Sequence, residues 1–279
     1  MSIDLHIHST FSDGTLSPTE LVALARTRGL TAISITDHDT VEGTAEAIEA
    51  GQKAKMTIVP GIEMSVVFAE VHLHLLGYYL SARDQHLLTR LKDIQDARRR
   101  RNSRIIEKLG ALGIEISMAE VERKSPLGQT GRPHIAQVLV DKGVVSSIDQ
   151  AFSRFLGRRG GAYAPRKVLD AAEGIALICG ARGIPVLAHP MTIDNSLRRI
   201  PALVERLVAL GLQGIEAYYP GHSARNQKQL CALAERHDLV VTGGSDYHGS
   251  VRPDTTLAGG SNVTVPEVVL ERLQKRRKC

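Results

Sequence analysis

Nine side chains able to hold a divalent cation recur along this chain: His6, His8, Asp13, His38, Glu63, His74, His189, Asp246 and His248. Six are imidazoles and three are carboxylates, a donor mix suited to borderline ions such as Zn, Mn or Fe. Nine ligands are too many for one ion and enough for two or three. Phosphoester hydrolysis heads the uses of such a cluster, because adjacent cations acidify water and steady phosphoryl oxygens. Nothing in the sequence suggests a Ser or Cys nucleophile, so the chemistry requires no covalent intermediate.

Spacing supports one site. His6 and His8 lie two apart on an extended segment and so share a face. Alone, that pair is a weak signal, since two such histidines often just hydrogen-bond in a core. The neighbouring Ile3 and Leu5 face the other side, which leaves a polar stripe that a metal would satisfy. Asp37, His38 and Asp39 close a second strand, and Ser245 to His248 close the last one. Core packing would scatter polar residues along the strands. Five strand ends agreeing in position instead fit the C-terminal mouth of an α/β barrel, where such folds carry their chemistry.

The elements that must position these residues alternate. IDLHIH (Ile3 to His8) is a strand, and Pro18 opens a helix over Thr19 to Arg28 that Gly29 stops. Strands follow at Thr31 to His38, Thr57 to Glu63 and Val71 to Tyr79, with a helix from Val41 to Lys53. The rhythm resumes with GIPVLAHP from Gly183, a helix over Ile200 to Leu210, and GIEAYYP from Gly214. A helix over Ala224 to His237 and a strand over Leu239 to Asp246 complete it. This alternation predicts a mainly parallel sheet, and about seven strands at this length point to a closed or nearly closed α/β barrel. Between the two runs, roughly Gln85 to Arg166 reads as helical, clearest over Arg98 to Leu109 and Pro133 to Lys142. The expected organisation is a barrel over 1–84 and 167–279, with an inserted helical subdomain over 85–166 packed on the barrel mouth.

With 279 residues, the chain buries one full core plus a small insertion. Its 43% hydrophobic and 23% charged content is that of a soluble globular protein. No apolar stretch is long enough to span a bilayer, and the N-terminus has no signal-peptide pattern. Cys179, Cys231 and Cys279 are widely spaced and odd in number, which predicts a reducing cytoplasm. The net charge of +5 is uneven: Arg90 to Asp170 holds 17 Lys and Arg against 9 Asp and Glu. That segment is either an ordinary solvated helix surface or a cationic wall facing an anionic substrate.

The segments HIHSTFSDG, ITDHDTVEG, PGIEMS, HLLGY, AHP and GGSDYH, in that order, resemble the motifs of the polymerase and histidinol phosphatase (PHP) family. With the helical insertion and GRPHIA (Gly131 to Ala136), the chain is most similar to small stand-alone members that act as 3′,5′-nucleoside bisphosphate phosphatases. The resemblance implies a distorted seven-stranded (β/α) barrel and a trinuclear centre, with Mn favoured over Fe or Zn. His6, His8, Glu63 and Asp246 would hold the first ion. Glu63 would bridge to a second on His74 and His189, and Asp13, His38 and His248 would hold the third. His134 is an alternative to His189, and His72 is read as structural. Glu63, Asp246 and His189 would act in catalysis through a hydroxide bridging the first two ions.

A second phosphate would then fall to the basic insertion, where Lys124, Arg132, His134 and Arg158 lie in Gly-rich loops. Asn195 would reach ribose or phosphate, or serve a turn. Most of Arg98 to Arg101 is expected to be solvated. His134 and His222 are candidates to protonate the leaving group, and Asp37 and Asp39 to orient imidazoles. The expected partner is a small phosphorylated nucleotide, with short oligonucleotides trimmed from a 5′ end as the alternative. Aromatic content of 4% leaves few platforms for long single strands. Histidinol phosphate and a non-catalytic metal-binding module rank lower, and neither a membrane nor an obligate protein partner is indicated.

Overall fold

Pro60 marks the point where the chain changes sheets. The computed structural model describes residues 2–125, 128–165, 168–258 and 263–277. Its first half runs β1 (Ser2–Ile7), α1 (Pro18–Thr27), β2 (Leu30–Ile35), α2 (Thr44–Ala54), β3 (Thr57–Ile58), β4 (Gly61–Phe68) and β5 (Val71–Tyr78). The helical stretch follows as α3 (Gln85–Ala111), α4 (Met118–Glu122), α5 (Arg132–Asp141) and α6 (Ile148–Ala151), which continues into a π-helical turn over Phe152–Leu156. The second half holds β6 (Leu169–Asp170), α7 (Ala171–Gly180), β7 (Ile184–Leu187), α8 (Ile200–Ala209) and β8 (Gly214–Tyr218). It ends with α9 (Ala224–Arg236), β9 (Val240–Gly243), β10 (Val265–Pro266) and α10 (Val268–Arg276).

The result is an α/β fold in which, among the described residues, ten strands form two sheets, ordered β10-β1-β2-β3 and β6-β4-β5-β7-β8-β9. The single strand expected over Thr57 to Glu63 is two strands. Thr57 and Ile58 pair with β2, and from Gly61 the chain pairs with β5 in the other sheet. Proline has no N–H to give a ladder, so the crossing falls there. The mainly parallel expectation holds for the β1–β2, β2–β3, β4–β6, β7–β8 and β8–β9 pairs, whereas β4–β5, β5–β7 and β1–β10 are antiparallel. A tight hairpin at Ala69 and Glu70, with φ of 46° and 65°, makes the β4–β5 pair. Both turn residues are left-handed, the hairpin geometry that matches strand twist. Glu63 and His74 consequently sit within long strands rather than at strand ends.

Two isolated parallel bridges join the sheets, Ile7 to Tyr247 and His38 to Glu63. Both joints consist of, or directly adjoin, the nine predicted ligands. Packed between the sheets is an apolar interior of Ile3, Leu5, Leu76, Tyr78 and Val186, and the Tyr78 hydroxyl donates to the Leu5 carbonyl at 2.9 Å. α1 and α2 cover β1 and β2 through Leu21, Val22 and Ala47. The 85–156 helices have their own core of Ile105, Leu109, Ile135, Leu139 and Leu156. Helix α1 starts as read, with Ser17 and Glu20 in a reciprocal cap and Pro18 in its first turn. The end of the C-terminal RLQKRRKC tail, with Cys279, lies outside the described residues, as do Pro126 and Leu127 of the Lys124 to Arg132 loop. Among the described residues, no helix is long and apolar enough to cross a membrane.

Gly244 lets β1 and the end of β9 approach. A Cβ there would lie 2.3 Å from the His6 backbone nitrogen and 2.4 Å from its Cβ. Gly244→Ala therefore has to push His6 aside, and a thermal melt should show a midpoint several degrees lower. Gly110→Ala, in open space near the end of α3, should be neutral or stabilise by up to about 1 kcal/mol. Equal melting points for the two variants would contradict the packing described.

Candidate metal centre

Glu63 is the hub. Its Oε1 lies 2.7 Å from His74 Nδ1 and 3.0 Å from His189 Nε2, and its Oε2 lies 3.0 Å from His38 Nδ1. His8 Nε2 and His6 Nε2 approach Oε2 at 3.2 and 3.4 Å. On the next side, Asp246 Oδ1 is 3.2 Å from His8 Nε2 and 3.5 Å from His6 Nε2. Asp13 Oδ1 is 3.3 Å from His248 Nε2. All nine sequence-predicted ligands thus meet in one place. Their donor atoms fall into His6/His8/Glu63/Asp246, His8/Asp13/His38/His248 and His38/Glu63/His74 groups, each within 4.8 Å. His189 joins the last through Glu63 and through His74 Nδ1 at 3.3 Å. His38 faces two groups, with Nδ1 toward Glu63 and Nε2 3.9 Å from Asp13.

These residues fit divalent cations. The buried atoms His6 Nε2, His8 Nε2, His38 Nδ1, His248 Nε2, Asp13 Oδ1 and Glu63 Oε2 have no hydrogen-bond partner among the described residues. Leaving a buried polar atom unsatisfied costs about 1–3 kcal/mol, and six such atoms aimed at one small volume call for an electrophile. The opposite ring nitrogens are fixed from outside. His248 Nδ1 donates to the Asp246 carbonyl at 2.7 Å, and a carbonyl only accepts, so its Nε2 turns a lone pair inward. His6 Nδ1 meets Glu216 Oε1 at 3.0 Å, and His189 Nδ1 meets Thr192 Oγ1 at 2.8 Å. Such outer contacts orient imidazole ligands.

Without cations, protons would be shared unequally. Burial works against a charge on His6, yet Glu216, Glu63 and Asp246 outweigh it and hold its pKa well above the ordinary value. His8 is pushed up to about 10 by Asp246 and Glu63 against the same burial. For His38 burial prevails, and its pKa falls to about 3. Burial opposes ionisation of Asp13, Glu63 and Asp246, but the surrounding imidazoles hold all three well below the usual carboxylate range.

Sequence reasoning missed four residues that shape the centre. Glu216, fully buried on β8, accepts from His6 and also from the His189 backbone N–H at 2.7 Å. A lone carboxylate inside the apolar run GIEAY was its signal. Asp4 ties β1 to β9 through the Ser245 N–H and hydroxyl, at 2.9 and 2.6 Å. Tyr219 Oη and Arg252 Nη1 hold Asp246 Oδ2 at 2.9 and 2.6 Å. Asp37 accepts from the Ser9 backbone and the Ser9 and Ser12 hydroxyls rather than from a ring nitrogen. Asp39 holds Ser65 and Arg98. The imidazole-orienting role expected of Asp37 and Asp39 is filled at His6 by Glu216.

A cavity of about 810 Å³ opens beside the ligands, with Asp13, His38 and His74 at one end. Its wall includes Arg132 and Arg158, as anticipated, together with Arg98, Arg101 and Arg252. Arg98 and Arg101, three apart on α3, share the inner face, while Arg99 and Arg100 are exposed. His72 is exposed and lines the cavity, contrary to a purely structural role. Three expected substrate contacts are not among the lining residues. Lys124 pairs with Asp141 on α5. Asn195 is exposed in a turn closed by Asp194, which accepts from Ser196 and Arg199. His134 is buried at the start of α5, where its Nδ1 accepts from the Gly131 N–H at 3.0 Å. The second leaving-group candidate, His222, donates through Nδ1 to the Ala217 carbonyl at 2.8 Å and is likewise outside the lining.

Because five imidazoles share the Glu63 carboxylate, Glu63→Ala should remove two cations together. Elemental analysis of Mn-loaded, desalted protein checks this, and loss of one ion or none would contradict the bridging geometry.

A model described as the PHP domain matches residues 4–124. The chain is 32% identical over 251 residues to a 3′,5′-nucleoside bisphosphate phosphatase of Chromobacterium violaceum, covering 88% of this chain and 87% of that protein. It is equally similar, 32% over 245 residues, to a 5′-3′ exoribonuclease of Haemophilus influenzae, covering 88% and 89% of the two chains. The solved structure of a candidate metal-dependent phosphoesterase from Bifidobacterium adolescentis superposes with a TM-score of 0.87 at 32% identity, over 98% of this chain and 96% of that one. Motif order, ligand geometry and overall shape agree, and the chain belongs to the PHP family of metal-dependent phosphoesterases.

Proposed function

We propose that this protein is a phosphatase that removes the 3′-phosphate of nucleoside 3′,5′-bisphosphates, giving the 5′-monophosphate and orthophosphate. The carrying observation is that one cavity joins the cation-ligand cluster to a wall of arginines, so it offers two places for an anion. A bisphosphate needs both. In this reading the two bridged sheets act as a distorted seven-stranded barrel of β1, β2, β4, β5, β7, β8 and β9, and the 85–166 segment is its substrate-covering insertion. A cytoplasmic setting fits the free thiols of Cys179 and Cys231.

His6, His8, Glu63 and Asp246 would hold one cation, Glu63, His74 and His189 a second, and Asp13, His38 and His248 a third, with Mn favoured. Bound there, divalent cations supply Lewis-acid charge for phosphoryl oxygens and water acidic enough to act near neutral pH. The chain's own residues do the rest. Glu216, Thr192 and the Asp246 carbonyl keep the ring nitrogens of His6, His189 and His248 aimed inward. Arg132 and Arg158 present forked donors to the remote phosphate, a geometry that suits bidentate pairing. Burial lowers the pKa of Arg132, and the neighbouring Arg98 and Arg158 charges act the same way. An anion between them would relieve that repulsion.

A second reading, 5′-to-3′ exonuclease on short oligonucleotides, is favoured by the equal similarity to an exoribonuclease. It would use the same ligands and differ in whether the arginine wall admits a following nucleotide. Incubation with a 5′-labelled dinucleotide separates the two, since a phosphatase liberates orthophosphate and a nuclease liberates mononucleotide.

With Mn present, orthophosphate release from a nucleoside 3′,5′-bisphosphate should be far faster than from a 5′-monophosphate; equal rates would sink the two-anion reading. Arg158→Ala should raise KM for the bisphosphate more than it lowers kcat, as expected for lost binding of a non-reacting group.

A further inference from the structure

Asp13 and His38 both stand on loops and belong to the same group, His8/Asp13/His38/His248. The 85–156 helical segment grips both loops. On the Asp13 side, the Gln129 N–H donates to the Phe11 carbonyl at 2.9 Å and the Ser125 hydroxyl to the Ser12 carbonyl at 3.2 Å. Gly128 sits so close that a Cβ would lie 2.3 Å from the Phe11 carbonyl carbon. On the His38 side, Gln95 Nε2 donates to the Asp39 carbonyl at 3.1 Å and Arg98 pairs with the Asp39 carboxylate. Asp39 is left-handed, with φ of 54°, and its N–H donates to the Glu63 carbonyl at 2.9 Å. A side chain at positive φ is held by its contacts, and here α3 supplies two of them.

We infer that the helical segment, besides covering the cavity, completes one cation site: Arg98 and a strap of Ser125, Gly128 and Gln129 are positioning elements for His38 and Asp13. The His6/His8/Glu63/Asp246 group takes neither Asp13 nor His38, and the contacts of the strap and of Arg98 fall on the loops that carry those two. Loosening the strap should therefore weaken the cation of Asp13 alone, loosening Arg98 should weaken that cation and the one His38 shares with Glu63 and His74, and the His6/His8/Glu63/Asp246 cation should be spared. The inference rests on the metal-centre reading and on nothing about the substrate.

The test loads metal-free, full-length protein with Mn and follows stepwise binding by calorimetry, with bound Mn counted by elemental analysis after gel filtration. Gly128→Ala should weaken a single binding step, and Arg98→Ala that step and at most one other, by about 10–100-fold, the range for removing an orienting contact. The remaining steps should be unchanged, and Arg98→Lys should recover part of the loss by restoring a cation beside Asp39. If Gly128→Ala does not fold, Ser125→Ala removes one strap contact alone and should weaken the same step. Wild-type isotherms in these variants, or equal weakening of every step, would overturn the inference. A wild-type protein that takes up no Mn would overturn the metal-centre reading, and this inference with it.

Discussion

A single carboxylate with five imidazoles within 3.4 Å sets the terms for the rest of this molecule. Glu63 is almost wholly buried, and a buried ion without compensation costs far more than any one packing contact returns. The rings around it are mostly buried as well, and several have an unsatisfied nitrogen. Such a concentration of polar atoms is the opposite of a core. It persists because its outer atoms are tied to Glu216, Thr192 and backbone carbonyls, and because its inner atoms match what a divalent cation asks of its ligands.

The centre also lies where the two sheets meet. Each joint is one isolated bridge, and the bridging residues Ile7, His38, Glu63 and Tyr247 are ligands or neighbours of ligands. A continuous ladder would fill these seams with paired backbone and leave less room for converging side chains. Incomplete pairing there opens the space in which residues from both sheets face each other. Cations bound at the seam would then link the sheets as well as act on substrate, so metal binding and fold stability would be linked.

The helical segment contributes charge as well as cover. Arg98 and Arg101 turn inward from α3, Arg132 from the start of α5 and Arg158 from the turn beyond the π-helical stretch, while Arg252 enters from the segment after β9. Several are already held by partners: Arg98 by Asp39, Arg252 by Asp246, and Arg132 by the Leu156 carbonyl and the face of Phe152. An arginine fixed by one partner loses less freedom on meeting an anion, and that pre-organisation favours binding. Across the cavity the hairpin of β4 and β5 brings His72 and His74 to the same wall.

How much of this was legible beforehand depended on the range of the interactions. The ligand inventory was readable because metal chemistry restricts residue type, and because His6-x-His8 and Ser245 to His248 are local patterns. Helix α1 was readable from Pro18 at its start and Gly29 at its end, signals that act within one turn. The path of the chain at Pro60, the antiparallel hairpin and the inward turn of Arg98 and Arg101 were not, since each depends on partners distant in sequence. Lys124, His134 and Asn195 show the same limit from the other side: their types suited phosphate, but nearby acids, backbone groups and turns claimed them. Local spacing and residue type determined that this chain carries cation-competent side chains on an α/β frame. Only the tertiary structure decided that Glu216 orients His6, that Arg252 and Tyr219 hold Asp246, and which arginines face the cavity, because those choices are made by contacts between residues tens to hundreds of positions apart.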